Sequence, residues 1–368
     1  MSTPDAKRTP LHEVHAELGA MITEFAGYLM PLRYGSESAE HQAVRTSAGL
    51  FDLSHMGEIF VTGPQAGAAL DHALIGHLSV LGVGRARYTM IVNSAGGVLD
   101  DLIVYRLAPE TYMVVANAAN AATVRAELTE RSAGFEKAAV DDRSAAYALI
   151  AVQGPKAQAV LAKLTDAALA DLKYYAILPG KVAGIDALIA RTGYTGEDGF
   201  ELFVGAGDAV AVWNAVTEAG GEDLRPAGLS ARDTLRLEAG MPLYGNELTA
   251  ETTPYDAGLG RTVKLDKAGD FVGRAALAAL ADTPPGRTLV GLVGRGRRVP
   301  RHGYDVVTPD GTPCGVVTSG APSPTLGRPI AMAYIDAGHA DDTDLAVDIR
   351  GKHEPVDKVA LPFYRRTS

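Results

Sequence analysis

The spacing of apolar and polar residues predicts a chain of short strands and short helices, and its sharpest unit is a β-hairpin. Residues 88–92 (Y-T-M-I-V) and 102–105 (L-I-V-Y) are rich in strand formers, and Ser94, Ala95, Gly96 and Gly97 between them carry turn chemistry. Two adjacent acids, Asp100 and Asp101, stand just past the turn, where a hydrophobic strand begins. Side chains alternate across a strand, so the two point to opposite faces. Either both are solvated turn carboxylates, or one is held at the mouth of an apolar pocket where its charge is useful.

Around this hairpin the pattern predicts short helices over 10–20 and 38–46, each opened by a Pro or Ser cue. F-D-L-S-H-M-G (51–57) leads into a strand ending at Val61, and an alanine-rich helix covers 65–73. A strand at 112–116, a helix at 119–130 and a strand at 135–140 complete the unit. After Asp142 a similar order restarts, with a strand at 147–152, Gly154-Pro155 and a helix at 156–164. V-T-G-P-Q-A-G-A-A-L (61–70) matches V-Q-G-P-K-A-Q-A-V-L (152–161). In each, glycine ends the strand and proline occupies the first helical turn, where its missing N–H costs nothing. We read this as a pseudo-repeat of two α+β units of split βαβ type.

The second unit continues with a strand at 187–192, the glycine-rich turn G-Y-T-G-E-D-G (193–199) and a strand at 200–204 with Glu201 near its start. Helices at 208–217 and 229–239 follow. Arg232 and Arg236, four apart, share a face of the last helix, either as a solvated pair or facing an anionic ligand. D-T-P-P-G-R (282–287) reads as a linker. Beyond it, short strands at 289–293, 304–308, 315–318, 331–335 and 345–349 predict a small closed barrel or sandwich.

Composition narrows the classes. A length of 368 residues allows two or three domains, and a hydrophobic share of 47% describes an ordinary soluble globular chain. The balance of 34 basic against 44 acidic residues, net −10, argues against nucleic acid or an anionic membrane as the main partner. The single cysteine, Cys314, excludes an intramolecular disulfide, suits a reducing compartment and reads as a small buried filler. No apolar run approaches the roughly 20 residues of a membrane span, and the N-terminus lacks a signal-peptide core, so a cytoplasmic location is expected.

Motifs exclude more than they select. There is no G-x-x-x-x-G-K-[ST] loop, no G-x-G-x-x-G after a strand and no G-x-S-x-G elbow. His12 with His15, and His72 with His77, lie in helical stretches without an acidic pattern nearby; they read as surface or partly buried histidines, with no metal site expected. Residue types alone leave a pocket enzyme or binder that works with lone carboxylates and arginines.

Five segments go further: F-D-L-S-H-M-G (51–57), G-G-V-L-D-D-L-I-V (96–104), G-Y-T-G-E-D-G-F-E (193–201), A-G-L-S-A-R-D-T-L-R-L-E-A-G-M-P-L-Y-G-N-E (227–247) and T-S-G-A-P-S-P-T-L-G (318–327). In that order they closely resemble the aminomethyltransferase, or T-protein, family of the glycine cleavage system, from about residue 9 to 363. The resemblance implies transfer of the one-carbon unit from the aminomethylated lipoyl arm of the H-protein to tetrahydrofolate, a co-substrate, giving 5,10-methylenetetrahydrofolate and ammonia. It implies functional coupling to the P- and L-proteins, no metal, and three lobes in a ring around a folate pocket. On that basis residues 1–281 form the folate-binding region, with the pseudo-repeat boundary near 142, and 288–368 the barrel. Rival readings on the same scaffold are a folate-dependent demethylase, the folate domain of a sarcosine or dimethylglycine oxidase, and a non-enzymatic folate-binding relative. The absence of a flavin-binding domain, the intact D-D-L-I-V segment and the lack of K-x-C-x-x-G disfavour them.

Carried over residue by residue, the resemblance makes Asp101 the catalytic acid. It gives folate contacts to Glu201, Arg232, Met56, Tyr88, Asn117, Tyr194 and Tyr364. A carboxylate such as Glu201 can pair with the pterin edge through two parallel hydrogen bonds, and Arg232 suits the anionic glutamyl tail. Arg236 is expected to be structural, and Asp100→Asn to be far milder than Asp101→Asn. Arg295, Arg297, Arg298 and Arg301, with Arg365 and Arg366 at the C-terminus, are either solvated loop charge with one arginine structurally paired, or in part a positive rim that guides an acidic H-protein.

Overall fold

The hairpin forms as the pattern predicts. In the computed structural model, which describes residues 6–366, strands Ala86–Val92 and Val98–Ala108 pair antiparallel with Met90 opposite Asp101. Asn93 closes the turn, its Oδ1 accepting from the N–H groups of Ala95 (2.9 Å) and Gly97 (3.0 Å). Gly97 also lets the hairpin dock. A Cβ there would stand 1.7 Å from the Ala250 carbonyl oxygen, so the loop around 250 packs directly on the turn. The neighbouring Val98 N–H donates to Thr252 O at 2.9 Å.

Strand order makes the pseudo-repeat visible. The first sheet runs Ala86–Val92, Val98–Ala108, Thr111–Ala116, Gly57–Thr62, Ala139–Asp142. The second runs Ile177–Val182, Ile185–Ala190, Gly199–Gly205, Tyr147–Gln153, Ala48–Asp52, Leu224–Pro226. The two orders coincide once the added strand Ala48–Asp52 is set aside. Helices Ala66–Ala73 and Ala157–Leu161 follow the corresponding strands. Between the sheets lies a shared core that includes Phe51, Phe60, Tyr105, Met113 and Phe203. Their outer faces are covered in turn, around Ile59, Leu70 and Val114 on one side and Ile150, Phe200 and Trp213 on the other. Burial on both faces is why strands such as Thr111–Ala116 read as continuous apolar runs instead of alternating.

The C-terminal lobe resolves as a closed barrel of Arg287–Gly294, Arg328–Asp336, Pro313–Ser323, Asp305–Val307, Leu345–Asp348 and His353–Val359. Closure leaves no unpaired sheet edge. The sixth strand, H-E-P-V-D-K-V, escaped the sequence reading because it is polar and carries Pro355. Cys314 is buried in the barrel core, as expected.

Some elements differ from expectation. The first helix covers only His12–Glu17, and beyond it Met21–Phe25 and Tyr28–Arg33 form an unpredicted hairpin. His15, expected at or near the surface, is fully enclosed. Its Nε2 lies 2.9 Å from Asp52 Oδ2, its Nδ1 2.8 Å from the Tyr34 hydroxyl, and its ring meets Trp213 edge-on. A histidine can be buried there because both ring nitrogens find partners. The strand expected at 135–140 occupies Ala139–Asp142, and helix Arg274–Leu280 was not anticipated.

Helix Leu229–Glu238 is buried on two sides. Ala231 and Leu235 enter the core between the sheets, and Leu237 enters a cluster with Ile330 and Met332 of the barrel. Truncating a leucine so enclosed to alanine costs about 2–5 kcal/mol. This helix therefore fixes the barrel against the two α+β units.

Candidate active site

A cavity of about 360 Å³ opens between the two sheets. Its walls come from separate parts of the chain: Phe25 of the N-terminal hairpin, His55 and Met56, the strands bearing Tyr88 and Asp101, the segment after Thr111–Ala116, and the loop Gly240–Tyr244. Among the described residues the barrel supplies no lining residue. It braces the cavity from behind, where the Tyr334 hydroxyl donates to Glu247 O at 2.7 Å and Arg236 Nη2 to Ser319 Oγ at 2.8 Å.

Asp101 stands in the wall with its carboxylate held by neutral donors only. The Tyr88 hydroxyl donates to Oδ2 at 3.0 Å and Asn117 Nδ2 to Oδ1 at 2.9 Å. Burial pushes its pKa above the usual carboxylate range, against the opposing effect of these two bonds. Asp100, on the other face of the strand, is not solvated either. It is fully buried and accepts from Asn117 N (3.0 Å), Asn117 Nδ2 (2.8 Å) and Asn120 Nδ2 (2.7 Å). Burial, with the charge of Asp101 beside it, raises its pKa to about 7. Alternation across the strand is as predicted, but the choice between solvated turn and pocket mouth resolves differently: one acid lines the cavity and its neighbour is locked behind it.

Glu201 enters from strand Gly199–Gly205, positioned by the turn before it. That turn wraps the Gln153 side chain, whose Oε1 accepts from Thr195 Oγ1 at 3.0 Å and whose Nε2 donates to Thr192 O at 3.0 Å. A Cβ at Gly193 would stand 2.0 Å from Gln153 Oε1, so only glycine permits this approach. Glu201 Oε2 accepts from the Thr192 hydroxyl and, at 3.3 Å, from the Tyr105 hydroxyl. Burial raises its pKa, with Thr192 and Arg232 opposing. Its Oε1 accepts from no described residue and is available to a ligand.

Arg232 and Arg236 part company. Arg236 is fully buried and saturated, bonding Asp233 (2.8 Å), Glu247 (3.0 Å), Met241 O (3.2 Å) and Ser319. The Arg232 guanidinium lies 4.8 Å over the Tyr194 ring and makes no hydrogen bond or ion pair to any described residue. A charged group left unpaired in a cavity wall is a ready anion receptor. Tyr194 is itself fixed, its hydroxyl donating to Pro242 O.

Seven of the residues singled out in the sequence thus meet in one cavity: Asp101, Glu201, Arg232, Met56, Tyr88, Asn117 and Tyr194. Tyr364 does not join them. Its N–H donates to Glu238 O at 2.8 Å and its ring lies under the Arg45 guanidinium at 4.0 Å, in a buried network with Glu197 and Glu238. The sequence reading missed Tyr175, Tyr105, Tyr244 and Phe25, which also line the cavity. Tyr175 is held at φ 56°, a left-handed conformation rare for an aromatic residue; no local signal marks it beyond the Tyr174-Tyr175 pair itself. Among the described residues no group of three or more His, Cys, Asp or Glu could hold a metal ion, and no helix is long and apolar enough to cross a membrane.

Comparison with known proteins finds relatives over the whole chain. Residues 11–267 match the model of the GCVT N-terminal domain, and 287–365 that of the glycine cleavage T-protein C-terminal barrel domain. The chain is 65% identical over 370 residues to an aminomethyltransferase of Saccharopolyspora erythraea, covering 100% of both. It is 48% identical to one of Thermus thermophilus, covering 97% of this chain and 99% of the relative. Among solved structures it is similar to glycine cleavage system aminomethyltransferase T from Bartonella henselae, with a TM-score of 0.91, 39% identity and 98% of each chain covered.

Proposed function

The chain belongs to the aminomethyltransferase (T-protein) family of the glycine cleavage system, and from that membership we propose how its own residues divide the work. The reaction is the family's: the one-carbon unit of aminomethyl-lipoyl H-protein passes to tetrahydrofolate, releasing ammonia and dihydrolipoyl H-protein and forming 5,10-methylenetetrahydrofolate. The observation that supports our assignment is the convergence of three charged groups on one cavity. Among the described residues they are a carboxylate with no cation partner (Asp101), a carboxylate with a free oxygen (Glu201) and a guanidinium with no ion pair (Arg232).

Asp101 is the catalytic residue. Cationic character grows at the aminomethyl carbon as ammonia leaves, and a pre-positioned carboxylate in a desolvated wall stabilises it without reorganising. Glu201 takes the donor edge of the pterin, and Arg232 the anionic tail. Met56, Tyr88, Asn117 and Tyr194 complete the folate contacts. Tyr364 acts at a distance, as part of the Arg45 network that anchors the C-terminal segment. The division into a folate-binding region, 1–281, and a barrel, 288–368, and a cytoplasmic location belong to the same proposal. Its direct test is methylenetetrahydrofolate formation from aminomethylated H-protein and tetrahydrofolate.

Tyr88→Phe tests the tuning of Asp101. The Tyr88 hydroxyl bonds the charged form and so lowers the pKa. Without that bond the pKa rises further, and the acid limb of kcat moves to higher pH. A pH–rate profile superimposable on the parental one excludes this role.

The carrier is proposed to be guided by the barrel's basic loop. Arg295 pairs with Asp357 at 2.8 Å and Arg298 with Glu354 at 3.1 Å, so they are partly neutralised. Arg297 has no partner among the described residues, and Arg301 lines a basic groove with Arg350 and Lys352. Opposite charges on two acidic proteins raise the encounter rate and make it salt-sensitive. Arg297→Ala with Arg301→Ala should raise the KM for H-protein and flatten its dependence on ionic strength, with the KM for tetrahydrofolate unmoved. A parental salt profile in the double variant places docking elsewhere.

A further inference from the structure

Asp100 is buried behind the cavity wall and lines no part of the cavity, yet it shares a ligand with Asp101. The amide of Asn117 stands between them. Its Nδ2 donates to Asp100 Oδ1 at 2.8 Å and to Asp101 Oδ1 at 2.9 Å, with the Asp101 carbonyl oxygen at 3.1 Å. Every one of these partners is an acceptor. A reversed amide would set its oxygen against both carboxylates, so the two aspartates dictate which end of Asn117 faces which way. Asn117 Oδ1 is left with no partner among the described residues, on a residue that lines the cavity. The groups facing the Asp100 carboxylate are all donors: Asn117 N–H, Asn117 Nδ2 and Asn120 Nδ2. No arginine or lysine pairs with either aspartate among the described residues.

We infer that Asp100 is a positioning residue for the transfer reaction. By accepting from the Asn117 amide it fixes that amide's orientation, so that the Asn117 oxygen and the Asp101 carboxylate form a paired acceptor for the N–H groups of the reacting amines. This rests on the reading of Asp101 as the catalytic carboxylate. It reverses the expectation that Asp100→Asn is mild. An asparagine at 100 keeps the shape but must turn its own NH2 toward a donor. The conflict is relieved when Asn117 rotates and withdraws its oxygen, which also frees one side of Asp101.

The test is a double-mutant cycle on the full-length protein with aminomethylated H-protein and tetrahydrofolate. Asp100→Asn should lower kcat by about tenfold or more, the scale of a misplaced catalytic group, while the dissociation constant for tetrahydrofolate changes by less than about threefold and the thermal midpoint stays near the parental one. In an Asn117→Ala background the same change should add less than about a twofold loss, because the group through which Asp100 acts is already gone. If the two losses multiply, or if Asp100→Asn keeps kcat within about twofold of the parent, the positioning role is wrong. Should Asp100→Asn not reach a native thermal transition, Asp100→Ser, which can still accept one hydrogen bond, takes its place in the cycle with the same criteria. Failure of the Asp101 reading shows separately, as an Asp101→Asn variant that retains turnover.

Discussion

Replacing Asp101 with asparagine is expected to lower kcat by at least about a hundredfold, the scale for removing one preorganised group from a developing charge. The substitution isolates charge from shape. An amide at 101 still accepts from Asn117 through its oxygen, and its NH2 can donate to the Tyr88 hydroxyl oxygen, so the hairpin and the cavity wall persist. Folate binding should therefore be nearly intact, with the loss confined to the chemical step. Single-turnover measurements at saturating tetrahydrofolate, set beside calorimetric titration of the same variant, separate the two. A variant that turns over within about tenfold of the parent, or one whose loss lies in the dissociation constant, removes Asp101 from the centre of the reaction.

The second large effect is on binding. Arg232→Ala and Glu201→Gln should each raise the dissociation constant for tetrahydrofolate about ten- to a hundredfold, the equivalent of one lost charge-assisted hydrogen bond at roughly 1.5–3 kcal/mol. The structure sharpens the reason for Arg232. Its guanidinium makes no hydrogen bond or ion pair to a described residue, only the contact over the Tyr194 ring, so its removal disturbs few internal contacts while the ligand loses a charged partner. Glu201 differs, since Oε2 is already committed to Thr192 and Tyr105 while Oε1 is open. Glutamine at 201 can present its NH2 at the open position, where a ligand donor would meet another donor. Calorimetry with tetrahydrofolate reads both, and an unchanged constant for either variant takes that residue out of the site.

These two residues also show how far a sequence can be read. The hairpin, the repeated strand–Gly-Pro–helix units and the barrel were legible because each rests on local information: turn residues, period-two alternation, a proline in a first helical turn. The resemblance to a known family named seven residues of the cavity. Several decisions lay beyond local information. Spacing alone puts Arg232 and Arg236 on one helix face, yet Arg236 is consumed by Glu247, Met241 and Ser319, the last 83 residues away, and Arg232 is left free. The N-terminal hairpin that contributes Phe25 went unseen because its residues alternate weakly, its first strand being largely exposed and its second buried only at Met30 and Pro31.

By itself the sequence determined the order of elements, the pseudo-repeat, the barrel and the position of the acid pair on opposite faces of a strand. Tertiary structure alone decided that Asp100 is locked behind the cavity instead of solvated, which groups consume Arg236, and that Tyr364 anchors a network instead of lining the site. The physical reason is the same in each case. Backbone conformation responds to neighbours along the chain, whereas burial and hydrogen-bond partnership depend on groups such as Asn117, Glu247 and Glu238 that only folding brings within about 3 Å.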